Sequence, residues 1–272
     1  MQEVELIDRA RAGDREAFGQ LFTSVERALS AFVYRLIAMR QDAEDLAQET
    51  ALRALETIDQ CPTAISFRAW IFRLAAQAAF EYLDSRKQWD PDAQIRAGQK
   101  LGDNAALRRR LQKLHGSSIH TTYDIREHID FCFVCMGRTL PPQEQAALLL
   151  SEVHGFSVEE AAETLGIPPQ LIRSRVQQAG QTLVAHYETR CGLINRGGSC
   201  HQCAGFDTLL HGDLRHIEQA LFHIDLQPQP TAPERAATFD ARVAIVRGID
   251  PLRAEGMKVH DFLMNLTRDT VG

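Results

Sequence analysis

The chain has 272 residues, of which 24% are charged and 44% are apolar, with a formal net charge of −6. That balance excludes a disordered chain, and no apolar run approaches the roughly 20 residues that a membrane-spanning helix needs. The acid excess excludes a protein held to DNA by bulk electrostatics, because phosphate neutralisation needs concentrated Lys and Arg, so any DNA contact must be local or assisted by a partner. Charge from Glu3 onward is not the pattern of a signal peptide, and a cytoplasmic location is expected.

Helical periodicity runs through most of the chain and strand-like alternation is scarce, which predicts an all-α fold. Helices are expected at about 3–12, 15–40, 43–58, 66–86, 123–136, 141–153, 158–165 and 169–188. In the third of these, Ala43, Leu46, Ala47, Ala54, Leu55 and Ile58 make one apolar stripe, while Asp42, Asp45 and Glu49 line another face. A carboxylate row on a helix suits docking to a basic partner, and a merely solvated face is the plainer alternative. The fourth helix carries Phe67, Trp70, Ile71, Leu74, Ala78 and Tyr82 on one stripe, with Phe72 and Phe80 off it. Aromatic side chains so placed either stack on unpaired bases or pack on a neighbouring helix.

From 88 to 122 the sequence turns polar and aperiodic and reads as a linker, with a short basic helix at about 105–114. Leu140-Pro141-Pro142 then opens a compact module. Ser157 is a good N-cap and Glu160 completes a capping box; Gly166 suits the left-handed end of the short helix, and Pro169 the first turn of the next. This is a helix-turn-helix pattern. Leu171, Ile172, Val176, Ala179 and Leu183 are predicted inward, leaving Gln170, Arg173, Ser174, Gln177 and Gln178 outward with Arg175 at the flank, side chains suited to base edges and phosphates. The alternative use of such a module is protein contact.

Six cysteines in a reducing compartment are not a disulfide framework. Cys132 and Cys135 precede the helix-turn-helix, and Cys200 and Cys203 follow it, each pair spaced to present two thiolates to one tetrahedral zinc ion. A structural zinc site of these four is the first expectation, with Cys191 or His201 able to replace a ligand. A redox-active thiol set is the second, and for the first pair simple burial beside Phe131 and Phe133 is the third. Residues 204–272 read as an acidic, partly helical extension that either covers the basic linker or the DNA-reading surface, or stabilises the rest. No catalytic triad, phosphate loop or carboxylate dyad is recognisable, so no enzyme is expected.

Two strings carry a resemblance. Asp42-Ala43-Glu44-Asp45-Leu46-Ala47-Gln48-Glu49-Thr50, followed by Phe67-Arg68-Ala69-Trp70-Ile71-Phe72-Arg73-Leu74-Ala75, resembles domain 2 of extracytoplasmic-function sigma factors, and Gly155-Phe156-Ser157 through Arg173-Ser174-Arg175 resembles their domain 4. The resemblance implies a domain 2 bundle at 1–87, a linker at 88–122 and a domain 4 at 123–190, with the cysteine knuckle at 191–203 and the extension after it. It implies docking of Asp42, Asp45, Gln48 and Glu49 on core RNA polymerase. It assigns the −10 promoter element to Ser66, Phe67, Arg73, Gln77, Phe80, Arg86 and Lys87, and the −35 element to the outward residues of the second helix. Implied partners are core polymerase, promoter DNA and an anti-sigma factor. The competing reading is a stand-alone metal- or redox-responsive helix-turn-helix regulator, which has no use for the acidic and aromatic helix pair. A thiol oxidoreductase is disfavoured because no βαβ pattern surrounds either Cys-x-x-Cys.

Overall fold

The structure is a computed structural model and describes residues 2–63, 65–116, 125–192, 194, 197–200 and 232–271. Among the described residues the architecture is helical and the one β feature is an isolated bridge between Cys191 and Cys200. The helices are α1 Gln2–Arg11, α2 Arg15–Thr23, α3 Glu26–Ile37, α4 Arg40–Glu56, α5 Phe67–Asp84, α6 Ala93–Asp103, α7 Ala105–Gly116, α8 Ile125–Gly137, α9 Pro142–Leu148, α10 Val158–Leu165, α11 Pro169–Arg190, α12 Ala232–Gly248 and α13 Met257–Val271. They form two compact units, one of residues 1–87 and 141–178, the other of 88–140 and 179–272.

In the first unit the helix predicted at 15–40 is broken. Asp14 caps α2 by accepting from the backbone N–H groups of Glu16 and Ala17, and the Ser24 hydroxyl donates to the Leu21 carbonyl, competing with the helical ladder where the chain turns. The break lets α2 bury Ala17, Phe18 and Leu21 while α3 separately buries Leu29, Phe32, Val33 and Leu36. After α9 the chain makes a π turn, Leu149–Val153, in which the His154 N–H reaches back five residues to the Leu149 carbonyl. The capping box then forms as expected: Glu160 N–H donates to Ser157 Oγ at 3.1 Å and Ser157 N–H to Glu160 Oε2 at 2.8 Å. Gly166 ends α10 at φ 66°, where a side chain would be strained.

The helix-turn-helix is not a separate bead in this unit. It packs on α3 and α5 through Phe72, whose ring lies 5.2 Å from Phe32, 5.6 Å from His154 and 5.0 Å from Phe156. Arg68 closes the cluster, its guanidinium 4.0 Å from the Phe156 ring centroid and donating to the His154 carbonyl. Gln145 Nε2 donates to the Arg35 carbonyl at 2.8 Å in the buried interior.

The second unit contains the stretch read as a linker. It holds two helices, because Ala93, Ala97 and Leu101 of α6 and Leu111 of α7 make a thin apolar face that is buried, with α13 packed on both helices. Packing also joins α12 to α8. The Glu127 carboxylate accepts from the backbone N–H groups of Glu255 and Gly256 just before α13, a favourable place for negative charge. Thr270 Oγ1 donates to the Ala93 carbonyl at the other end of that helix. The C-terminal extension is therefore built into the second unit, while its sequence at 201–231 lies outside the described residues.

Two substitutions separate capping from packing. Ser157→Ala is expected to lower the unfolding free energy by about 1 kcal/mol, and Phe72→Ala by about 3–5 kcal/mol, both read from urea denaturation.

Candidate functional site

On α4 the expected acidic residues divide in two. Asp45, Gln48 and Glu49 are exposed on one face, whereas Asp42 is half-buried and accepts a hydrogen bond from the Tyr82 hydroxyl of α5. Leu52, one turn beyond Gln48 and Glu49, is 56% exposed. Apolar periodicity gave no reason to single it out; its position at i+3 and i+4 from the acidic pair is the available signal. The face thus offers carboxylates around an accessible aliphatic side chain, a surface fitted to a basic and partly apolar partner.

On α5 the named residues fall into three settings. Ser66 is the N-cap, accepting from Ala69 N–H at 3.1 Å. Phe67 is a core residue, edge-on to Phe18 at 6.0 Å, and its N–H donates to Glu3 Oε1. Arg73 Nε donates to the Glu163 carbonyl of α10 at 3.1 Å, so its guanidinium is engaged by the helix-turn-helix. Phe80 is partly exposed, and Gln77, Arg86 and Lys87 are exposed. Arg86 stacks on the Tyr82 ring at 3.4 Å and donates to the Tyr82 carbonyl, which fixes a cation at the end of α5. Phe72, seen from sequence as an off-stripe aromatic, is wholly buried.

On α11 Gln170, Arg173, Ser174, Gln177 and Gln178 are exposed and Arg175 is partly covered, a polar face at the spacing of a recognition helix. Arg173 lies 3.5 Å from Glu159, an exposed pair worth little in water and easily exchanged for a phosphate. Leu171, predicted inward, is 39% exposed. It sits in the first turn of α11, where no preceding turn covers it.

The cysteines of the two expected pairs, with Cys191, belong to the second unit, and Cys61 to the first. Cys132 and Cys135 stand one turn apart on α8, and Cys191 and Cys200 are joined by the β bridge at the end of α11. Cys203 and His201 lie outside the described residues. Among the described residues no group of three His, Cys, Asp or Glu side chains converges as for a metal ion, and the fourth expected ligand, Cys203, lies outside them. Burial pushes the Cys132 thiol up to about 12, opposed by the nearby Arg242 guanidinium, and holds Cys135 well above the ordinary thiol range.

Three histidines are held neutral. Burial pulls His154 down to about 3, helped by Arg35 and Arg68, and pulls His260 down to about 4; His128 lies well below its usual value through burial and then His260 and Arg242. A depressed histidine binds its proton in the unfolded chain first, so stability is fully present above pH 6.5 and falls as pH drops through the window down to the folded value. Each such histidine costs about 1.4 kcal/mol per pH unit within that window. Urea denaturation at pH 7.5 and 5.5 is expected to show the loss, and His154→Leu to reduce it.

Comparison with known proteins covers both halves of this arrangement. The family model for Sigma-70 region 2 matches residues 21–89, and that for Sigma-70 region 4 matches 131–183. The chain is 25% identical over 185 residues to the RNA polymerase sigma-H factor of Pseudomonas aeruginosa, covering 67% of this chain and 92% of that protein. It is likewise 25% identical over 183 residues to the ECF RNA polymerase sigma-E factor of Haemophilus influenzae, covering 67% and 94%. The sigma factor RpoE of Bartonella quintana, solved with the anti-sigma factor NepR, superposes with a TM-score of 0.45 at 26% identity, covering 63% of this chain and 96% of that one. With region 2 carrying the α4 and α5 faces and region 4 the α11 face, in that order, the chain belongs to the extracytoplasmic-function class of RNA polymerase sigma factors.

Proposed function

We propose that this protein binds core RNA polymerase in the cytoplasm and directs promoter-specific initiation, the polymerase performing all chemistry. The observation that carries the reading is the pairing of a region 2 and a region 4 in one chain, each with an exposed polar helix face. The α4 face of Asp45, Gln48, Glu49 and Leu52 docks on polymerase, with Asp42 holding α4 against α5. Arg86 and Lys87, with Gln77 and Phe80, meet the −10 region, while Gln170, Arg173, Ser174, Gln177 and Gln178 read the −35 element with Arg175 on the flanking phosphates.

Ser66, Phe67 and Arg73 need a further step. In the free chain Phe67 is in the core and Arg73 is tied to α10. A −10 role for Arg73 requires the helix-turn-helix to leave α5, and one for Phe67 requires that ring to leave its packing on Phe18. Docking on polymerase supplies the energy by offering each half its own surface. Net charge −6 fits this dependence: the isolated chain is a poor DNA binder, and the polymerase contributes the missing positive field.

The test is capture of purified core polymerase by the tagged full chain. The wild-type chain is expected to form a stable complex. The double variant Asp45→Lys, Glu49→Lys is expected to weaken it by about tenfold or more without changing the melting temperature, since both residues are exposed. Absence of any wild-type complex overturns the reading.

A further inference from the structure

The thiol cluster of the second unit is not used by the promoter reading, and its geometry singles out one pair. At the end of α11 the chain turns back on itself, so that Cys200 N–H donates to the Arg190 carbonyl at 2.7 Å and Gly192 N–H to the Cys200 carbonyl at 2.8 Å. This places Cys191 and Cys200 side by side in a parallel bridge. Neighbouring strands run about 4.8 Å apart, inside the Cα separation of roughly 4.4–6.8 Å that a disulfide spans. Gly198 makes the return possible: a Cβ there would lie 2.7 Å from the Arg190 carbonyl oxygen and 2.8 Å from the Cys191 carbonyl carbon.

Arg242 of α12, only 5% exposed, donates from Nη2 to Cys191 Sγ at 3.4 Å while its guanidinium lies 4.3 Å from the Tyr187 ring centroid. A guanidinium anchored on a ring and donating to a sulfur fixes where that sulfur points. Cys132, Cys191, Cys200, Tyr187 and Arg242 line a cavity of about 20 Å³. That is room for a water-sized solute, such as a hydrogen peroxide molecule reaching the sulfurs. Cys135 is buried deeper, and Cys61 belongs to the other unit.

We propose that Cys191 and Cys200 form a redox couple oxidised by hydrogen peroxide or a similar small hydroperoxide. The Cys191 thiolate attacks one peroxide oxygen, the O–O bond breaks, and the departing hydroxide takes a proton and leaves as water. The sulfenic acid so formed is attacked by the Cys200 thiol; the S–O bond breaks and a second water leaves. Two thiols and one peroxide thus become one disulfide and two waters, and a cellular dithiol reverses the change by exchange. The disulfide closes the loop at the C-terminal end of α11, with Arg242 of the extension as the residue that positions the attacking sulfur.

The reduced full-length chain is treated with hydrogen peroxide, blocked with iodoacetamide under denaturing conditions and digested with trypsin. Trypsin cuts after Arg190, Arg196 and Arg215, so the expected product is peptide 191–196 joined to peptide 197–215, with fragmentation placing the link on Cys200 and not Cys203. Cys200→Ser is expected to lose the link and to leave a sulfenic acid on Cys191 that dimedone labels; Cys191→Ser is expected to lose both. Arg242→Gln is expected to slow oxidation by about tenfold, with Arg242→Lys restoring it. A link through Cys132 or Cys203, thiols that resist peroxide, or a purified protein whose cysteines are held by a retained metal ion would each overturn the proposal. None of these readouts requires polymerase, so their failure leaves the promoter reading intact.

Discussion

The burial of Phe72 between Phe32, His154 and Phe156, sealed by Arg68, is the contact on which the first unit depends. It joins two rings of region 2, Phe32 of α3 and Phe72 of α5, to two from the turn that leads into the helix-turn-helix, and aromatic pairs at these distances add to the area they bury. Cation and carbonyl complete it, since Arg68 donates to the His154 carbonyl in this partly buried junction. The same contact explains why His154 is neutral: burial disfavours its charged form, and a third positive charge beside Arg35 and Arg68 adds to the cost.

That junction sets the functional problem. The helices that would read the two promoter elements are folded against each other's supports, and Arg73 is held by the Glu163 carbonyl. The exposed faces of α4 and α11 remain accessible meanwhile. A partner with surfaces for both halves can exchange the internal contacts for its own, and a chain with excess acid gains little from DNA before that exchange.

Much of this was legible in the residues. Ser157, Glu160 and Gly166 declare a capped short helix because capping chemistry is local, and the outward row on α11 follows from helical spacing alone. The two α4 readings separate only in three dimensions: Asp42 looks like Asp45 in sequence, yet Tyr82 claims it. Phe72 lies off the stripe of α5 because that helix is covered on more than one side, so a single apolar face is the wrong template. Helix α6 escaped notice because its buried face is mostly alanine with one leucine, a weak signal against many polar neighbours, whereas α7 answers the short basic helix expected at 105–114. Likewise the break after α2 comes where the Ser24 hydroxyl bonds the Leu21 carbonyl, and Arg242 meets Cys191 from 51 residues away.

The central claim is that region 2 and region 4 act together to choose promoters. In vitro transcription from a library of random upstream sequences, using core polymerase reconstituted with the full chain, tests it most directly. The account predicts start sites preceded by paired −35 and −10 elements at fixed spacing, with the −35 preference altered in Arg173→Ala. Initiation indistinguishable from that of core polymerase alone would contradict it.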